Sequence, residues 1–133
     1  MAHRLYSVED ANRVLPDVRR LVERIVDLVP ELPDMQETVR INELKFHRPA
    51  AGEPEREKLA ASVAGLRAAE MAVAVAMRSL ESMDVVLKDP VTGLVDFYSN
   101  REGEVVLLCW RLGEESVAHW HRIEDGFRGR RPI

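Results

Sequence analysis

The chain has 133 residues, enough for one domain with a core of its own and too few for two ordinary ones. Hydrophobic residues make up 46% and charged residues 32%, the balance of a globular chain rather than a disordered one. A formal charge of −4 argues against a general nucleic-acid binder, and the single cysteine, Cys109, rules out an internal disulfide.

The opening "MAHRLYSVEDANRVLP" carries charges throughout and has no apolar stretch of the signal-peptide kind, so the expected location is cytoplasmic. Within it, "YSVEDANRVLP" reads as a helix start. Ser7 can cap the free amides, Asp10 sits three residues on, and Glu9 adds negative charge in the first turn, where the helix dipole favours it. Val8, Ala11, Leu15, Val18, Val22, Ile25 and Val29 then recur at helical spacing, flanked by Val14, Leu21 and Leu28. Pro16 lies inside this pattern, where a missing amide donor predicts a bend.

Pro30 and Pro33 interrupt the period, and "RPAAGEPE" is a strong breaker. Between them, Asp34 to His47 is weakly amphipathic, as a short helix or a bent continuation of the first. Glu55 to Met83 is the second long helix, with Leu59, Val63, Leu66, Val73, Met77 and Leu80 on its buried side. Its longest apolar run, Met71 to Met77, falls far below the roughly 20 residues that span a bilayer, so no membrane partner is expected. Two such helices pair antiparallel, and the breadth of their apolar stripes leaves surface for a third layer or a second subunit.

After Met83 the period changes from that of a helix to two. "DVVLKD", "LVDFYS", "EVVLLCWR" and "SVAHWH" are β-type runs separated by the turn sequences "PVTG", "NREG" and "LGEE". The expected fold class is therefore α+β: an antiparallel long-helix hairpin, with or without a short third helix, followed by a three- to four-stranded antiparallel β-meander. The expected domain is single, 1–133, with a helical part at about 7–83, a meander at about 84–121 and a tail at 122–133.

The opening "YSVEDANRVLP" and the run "VVLKDPVTGLVDFYS…GEVVLLCWRLGEESVAHWHRIEDGFRGRRPI" resemble the bacterial family called domain of unknown function 2203 (DUF2203) over nearly the full chain. Marks of the type "GLVDF", "LCWRLGE", a "WH" pair and "GF-x-GR-x-P" carry the resemblance. No activity is established for that family, so the resemblance implies no catalytic residues. The proline-rich stretch from Pro30 to Pro54 is more broken than the long helical arm usual in the family.

Alternate side chains of a strand share a face, and hydrophobic patterning chooses the register. Pairing Arg111 with Val117 sets Cys109 opposite His119 and Leu108 opposite Trp120. Pairing Ser99 with Glu104 across "NREG" sets Asp96 opposite Leu107 and Val95 opposite Leu108. One face then collects Val95, Phe97, Val106, Leu108, Trp110, Ala118 and Trp120, and covers the helices. The other collects Asp96, Tyr98, Cys109, Arg111, His119 and His121.

Two functional readings follow from that polar face. In the first, the chain is a homodimeric ligand- or partner-binding module. Asp96, Tyr98 and Arg111 form its surface with the tail arginines Arg128, Arg130 and Arg131, which together can clamp a phosphate or carboxylate. In the second, Cys109, His119 and His121 hold a divalent transition metal such as zinc, with Asp96 as a more distant fourth ligand and water activation as the chemistry. No CxxC or HExxH spacing is present. The pairs Glu43/His47 and Glu115/His119 are spaced four, which does not fit the Glu-x-x-His of di-iron bundles. A thiolate–imidazolium couple of Cys109 and His119 is the remaining enzymatic idea, and a mid-strand thiol flanked by Leu108 and Trp110 has poor access. Phe127, with a glycine on either side of its short segment, reads either as an anchor that tucks the tail back onto the domain or as a hydrophobic anchor at a dimer contact.

Overall fold

The computed structural model describes residues 3–133. Helix α1 spans Val8–Leu28, and Ser7 caps it by accepting a hydrogen bond from the Asp10 amide at 3.0 Å. Its apolar stripe is the buried one: Ala11, Leu15, Val18, Val22 and Ile25 all face the core. The helix continues unbroken through Pro16, which sits on the exposed side.

A 3-10 turn at Val29–Glu31 absorbs Pro30 and leads into helix α2, Leu32–Phe46, with Pro33 in its first turn. The middle of the chain is thus helical. None of the α2 residues is buried, because α2 packs mainly along helix α3. Helix α3 spans Glu53–Ser82, and at its start the Glu55 carboxylate accepts from the Gly52 amide at 2.9 Å. Its second half buries Ala69, Val73, Ala76 and Leu80.

The chain then enters a five-stranded antiparallel sheet in sequence order: β1 Val85–Asp89, β2 Leu94–Arg101, β3 Glu104–Arg111, β4 His119–Arg122 and β5 Arg131–Pro132. The sheet has one strand more than the three or four expected. The extra strand comes from the tail, and its Pro132 is tolerated because β5 is an edge. The helices cover one face. Val95, Phe97, Val106, Leu108, Trp110 and Trp120 pack there against α1 and the end of α3 in one core.

The β3–β4 register is the expected one, with Cys109 opposite His119 and Leu108 opposite Trp120. The β2–β3 register differs. Arg101, not Ser99, pairs with Glu104, so Asp96 opposes Cys109 and Val95 opposes Trp110. The physical reason is the turn: Glu102 and Gly103, at φ 54° and 86°, make a tight two-residue hairpin rather than a four-residue loop. The slip is two residues, an even number, so every side chain keeps its face. Ala118 departs from the expected apolar face, because β4 begins one residue later and Ala118 is exposed.

Polar links tie the sheet to α1 and to the segment that precedes it. The Asn12 amide brackets the loop before β4, donating to the Val117 carbonyl at 3.2 Å and accepting from the Val117 amide at 2.8 Å. Ser99 donates to the Tyr6 carbonyl at 2.5 Å, and the Tyr6 amide donates to the Tyr98 carbonyl at 2.7 Å.

Candidate functional site

On the face away from the helices, one cross-strand row runs Val86, Asp96, Cys109, His119 and Pro132 through all five strands. The next row places Tyr98, Leu107 and His121 side by side. His121 therefore lies diagonal to Cys109 and two strands from Asp96, a span of roughly 9.5 Å between backbones. Its imidazole crosses β3 to close that gap, and Nε2 comes to 3.3 Å from Asp96 Oδ1.

Asp96, Cys109 and His121 form a compact trio whose ligand atoms all lie within 4.8 Å of one another. All three are buried, at 2%, 0% and 3% exposure. Burial pushes the Asp96 carboxyl above its ordinary range, although His121 pulls it the other way. Burial, reinforced by the Asp96 charge, pushes the Cys109 thiol up to about 11. At neutral pH that thiol keeps its proton, which disfavours a cysteine nucleophile.

The His121 ring has a defined tautomer. Nδ1 sits 2.8 Å from the carbonyl oxygen of Arg122, which can only accept, so Nδ1 carries the hydrogen. In the neutral ring Nε2 then offers a lone pair toward an Asp96 oxygen. Two acceptors at this distance repel unless a proton or a metal cation lies between them. A ligating histidine commonly anchors its other nitrogen to a backbone carbonyl in this way.

The tail roofs this face. Arg130 donates to both Glu114 oxygens, Nη1 to Oε1 at 3.1 Å and Nη2 to Oε2 at 2.5 Å, and the same Nη1 lies 4.0 Å from Cys109 Sγ. Burial works to raise the Glu114 pKa, yet Arg130 and the Arg111 amide, which donates to Oε1 at 2.7 Å, outweigh it and hold the carboxyl below its ordinary range. Phe127 is half-buried, with the Arg130 guanidinium 4.4 Å from its ring centroid and that of Arg111 at 5.7 Å.

The other expected site residues lie apart from the trio. His119 faces Cys109 across the strands, but its Nδ1 points to Glu114 at 3.8 Å, and that buried nitrogen has no hydrogen-bond partner among the described residues. Tyr98 stacks on His3 with ring centroids 4.0 Å apart. Arg128 is exposed. Arg130 and Arg131 do not converge as a clamp. Arg131 sits on the helix-covered face, 5.4 Å from the Trp120 ring, because successive strand residues point to opposite faces. Within the chain, Arg130 of the tail pairs with Glu114. Nothing local in "LGEE" marks it, since the contact depends on where a tail 16 residues later returns.

The family model described as "Uncharacterized conserved protein (DUF2203)" matches residues 4–133. The chain belongs to the DUF2203 family. No curated protein and no solved structure matches it. The family description assigns no activity, so any function rests on the chemistry of the trio and its roof.

Proposed function

We propose that this DUF2203 protein binds one divalent transition metal of the zinc class through Asp96, Cys109 and His121. The observation that carries the proposal is the placement of His121 Nε2, 3.3 Å from Asp96 Oδ1, oriented by the Nδ1 bond to the Arg122 carbonyl and flanked by a cysteine. Thiolate, imidazole and carboxylate are a donor set suited to zinc. Tetrahedral zinc with ordinary bond lengths needs donor separations of roughly 3.4–3.6 Å, so the side chains have to close by about 1 Å. Binding displaces the Cys109 proton, and the cation replaces the proton that Asp96 and His121 otherwise share.

The burial of all three ligands beneath Arg130 and Glu114 favours a metal that braces the sheet and tail over one that activates water for a substrate. It also weighs against the alternative in which Asp96 and its neighbours form an open docking surface, because they are covered.

Cobalt titration of metal-free protein tests the reading. The expected result is a saturable one-to-one rise in thiolate-to-cobalt absorption that Cys109→Ser abolishes and His119→Ala leaves intact. Loss of the signal in His119→Ala with retention in His121→Ala would assign the ligands differently. No signal in folded protein would end the proposal.

A further inference from the structure

The free face of α3 is explained by neither the core nor the trio. Ala60, Ala64, Ala68, Met71 and Val75 are all exposed, Met71 at 62% and Val75 at 48%. At about 100° per residue they share one side of the helix, nearly opposite the buried Val73, Ala76 and Leu80. A soluble helix with an apolar stripe on both sides has a second surface to cover.

We infer that this face is a symmetric dimer interface in which α3 packs antiparallel against α3 of a second copy. In a two-fold contact, residue i meets j and j meets i. Centring the axis between Arg67 and Ala68 sets Ala64 against the partner's Met71 and Ala60 against the partner's Val75. Each large side chain thereby meets an alanine, the match that close helix packing at about 8–10 Å requires. The same axis sets Ala61 against the partner's Ala74, and Glu57 against the partner's Arg78. Glu57 and Arg78 are exposed and have no ion-pair partner among the described residues, whereas the neighbouring Arg56 is already taken by Glu53. Other registers also set large side chains on alanines, but this one in addition brings Glu57 to the partner's Arg78, so charge complementarity makes the choice.

A bilayer is the competing occupant, since α3 is long and apolar enough by composition to cross one. Two observations favour the second copy. The second half of α3 is built into the core with α1 and the sheet, and Glu57, Arg67 and Arg78 punctuate the free face.

Sedimentation equilibrium of the full chain across concentrations, with and without zwitterionic lipid vesicles, tests the inference. The expected mass is twice 15.1 kDa, with no vesicle binding. Ala64→Glu, at an exposed position of the single chain, is expected to give a folded monomer. Glu57→Arg is expected to weaken the dimer by about tenfold, because the like-charge contact occurs twice, and adding Arg78→Glu to restore it. A wild-type monomer at every concentration, a dimer indifferent to Ala64→Glu, or a monomer that partitions into vesicles would overturn it. None of these outcomes depends on the metal.

Discussion

Asp96 Oδ1 and His121 Nε2 meet at 3.3 Å across the full width of β3, with both residues buried. That contact needs something positive between two acceptors, and the structure surrounds it with one thiol. Replacing Asp96 by asparagine separates the two candidates. An amide can donate to Nε2 as a shared proton does, so Asp96→Asn is expected to stay folded in the metal-free state. Its metal affinity is expected to fall by more than the roughly 10–100-fold that losing an outer-shell partner costs. Circular dichroism and a competitive chelator titration on the same sample give both readings. Unchanged affinity would remove Asp96 from the ligand set.

Cys109 has no exposed surface, and its thiol is pushed up to about 11. Native metal-free protein at neutral pH is therefore expected to resist iodoacetamide, while denatured protein is modified fully. Mass spectrometry after timed quenching checks this. Rapid native labelling would mean that the roof opens readily or that the thiol ionises near neutrality.

The Glu114–Arg130 pair holds the tail over the trio. Glu114→Gln keeps the shape but removes the charge, and is expected to cost roughly 1–2 kcal/mol, felt mainly in the tail. The Ile133 amide, which donates to the Ala118 carbonyl at 2.9 Å, should then exchange faster with deuterium. Acid should act in the same direction. The folded pKa of Glu114 lies below its unfolded value, so its stabilisation is complete above the ordinary carboxylate range. It is lost as pH falls through the lower folded value. Tail exchange that ignores both the substitution and the pH would show that the tail is held by something else.

Gly93 turns the chain from β1 into β2 with φ +77°, pressed against α1. A Cβ there would lie 2.8 Å from Leu112 Cβ and 2.9 Å from Val22 Cγ1. Gly93→Ala combines left-handed strain with overpacking and is expected to destabilise by roughly 2–4 kcal/mol in urea unfolding. A change under about 0.5 kcal/mol, the scale of an ordinary surface substitution, would show that the turn relaxes freely.

Much of this was legible because it is periodic. The α1 stripe from Ala11 to Ile25 announces its buried side, and the alternation in β2 and β3 assigns each side chain to a face. What periodicity cannot resolve is a slip of two, which leaves every face unchanged. Reading "NREG" as the turn, rather than its last two, positive-φ residues, moved Asp96 two residues along β3 and made it a distant ligand. The same limit hid the choice between the two histidines. His119 is directly opposite Cys109, yet the diagonal His121 is the one whose ring crosses β3. Glu114 and Arg130 were out of reach for a different reason, since their pairing depends on a tail returning to a sheet.

The central claim is that Asp96, Cys109 and His121 hold a metal, and elemental analysis of protein purified without a histidine tag tests it most directly. The account predicts close to one zinc-class ion per chain in the wild type and near zero in a folded Cys109→Ser variant. Metal-free wild-type protein that is folded, stable and takes up nothing when zinc is supplied would contradict it.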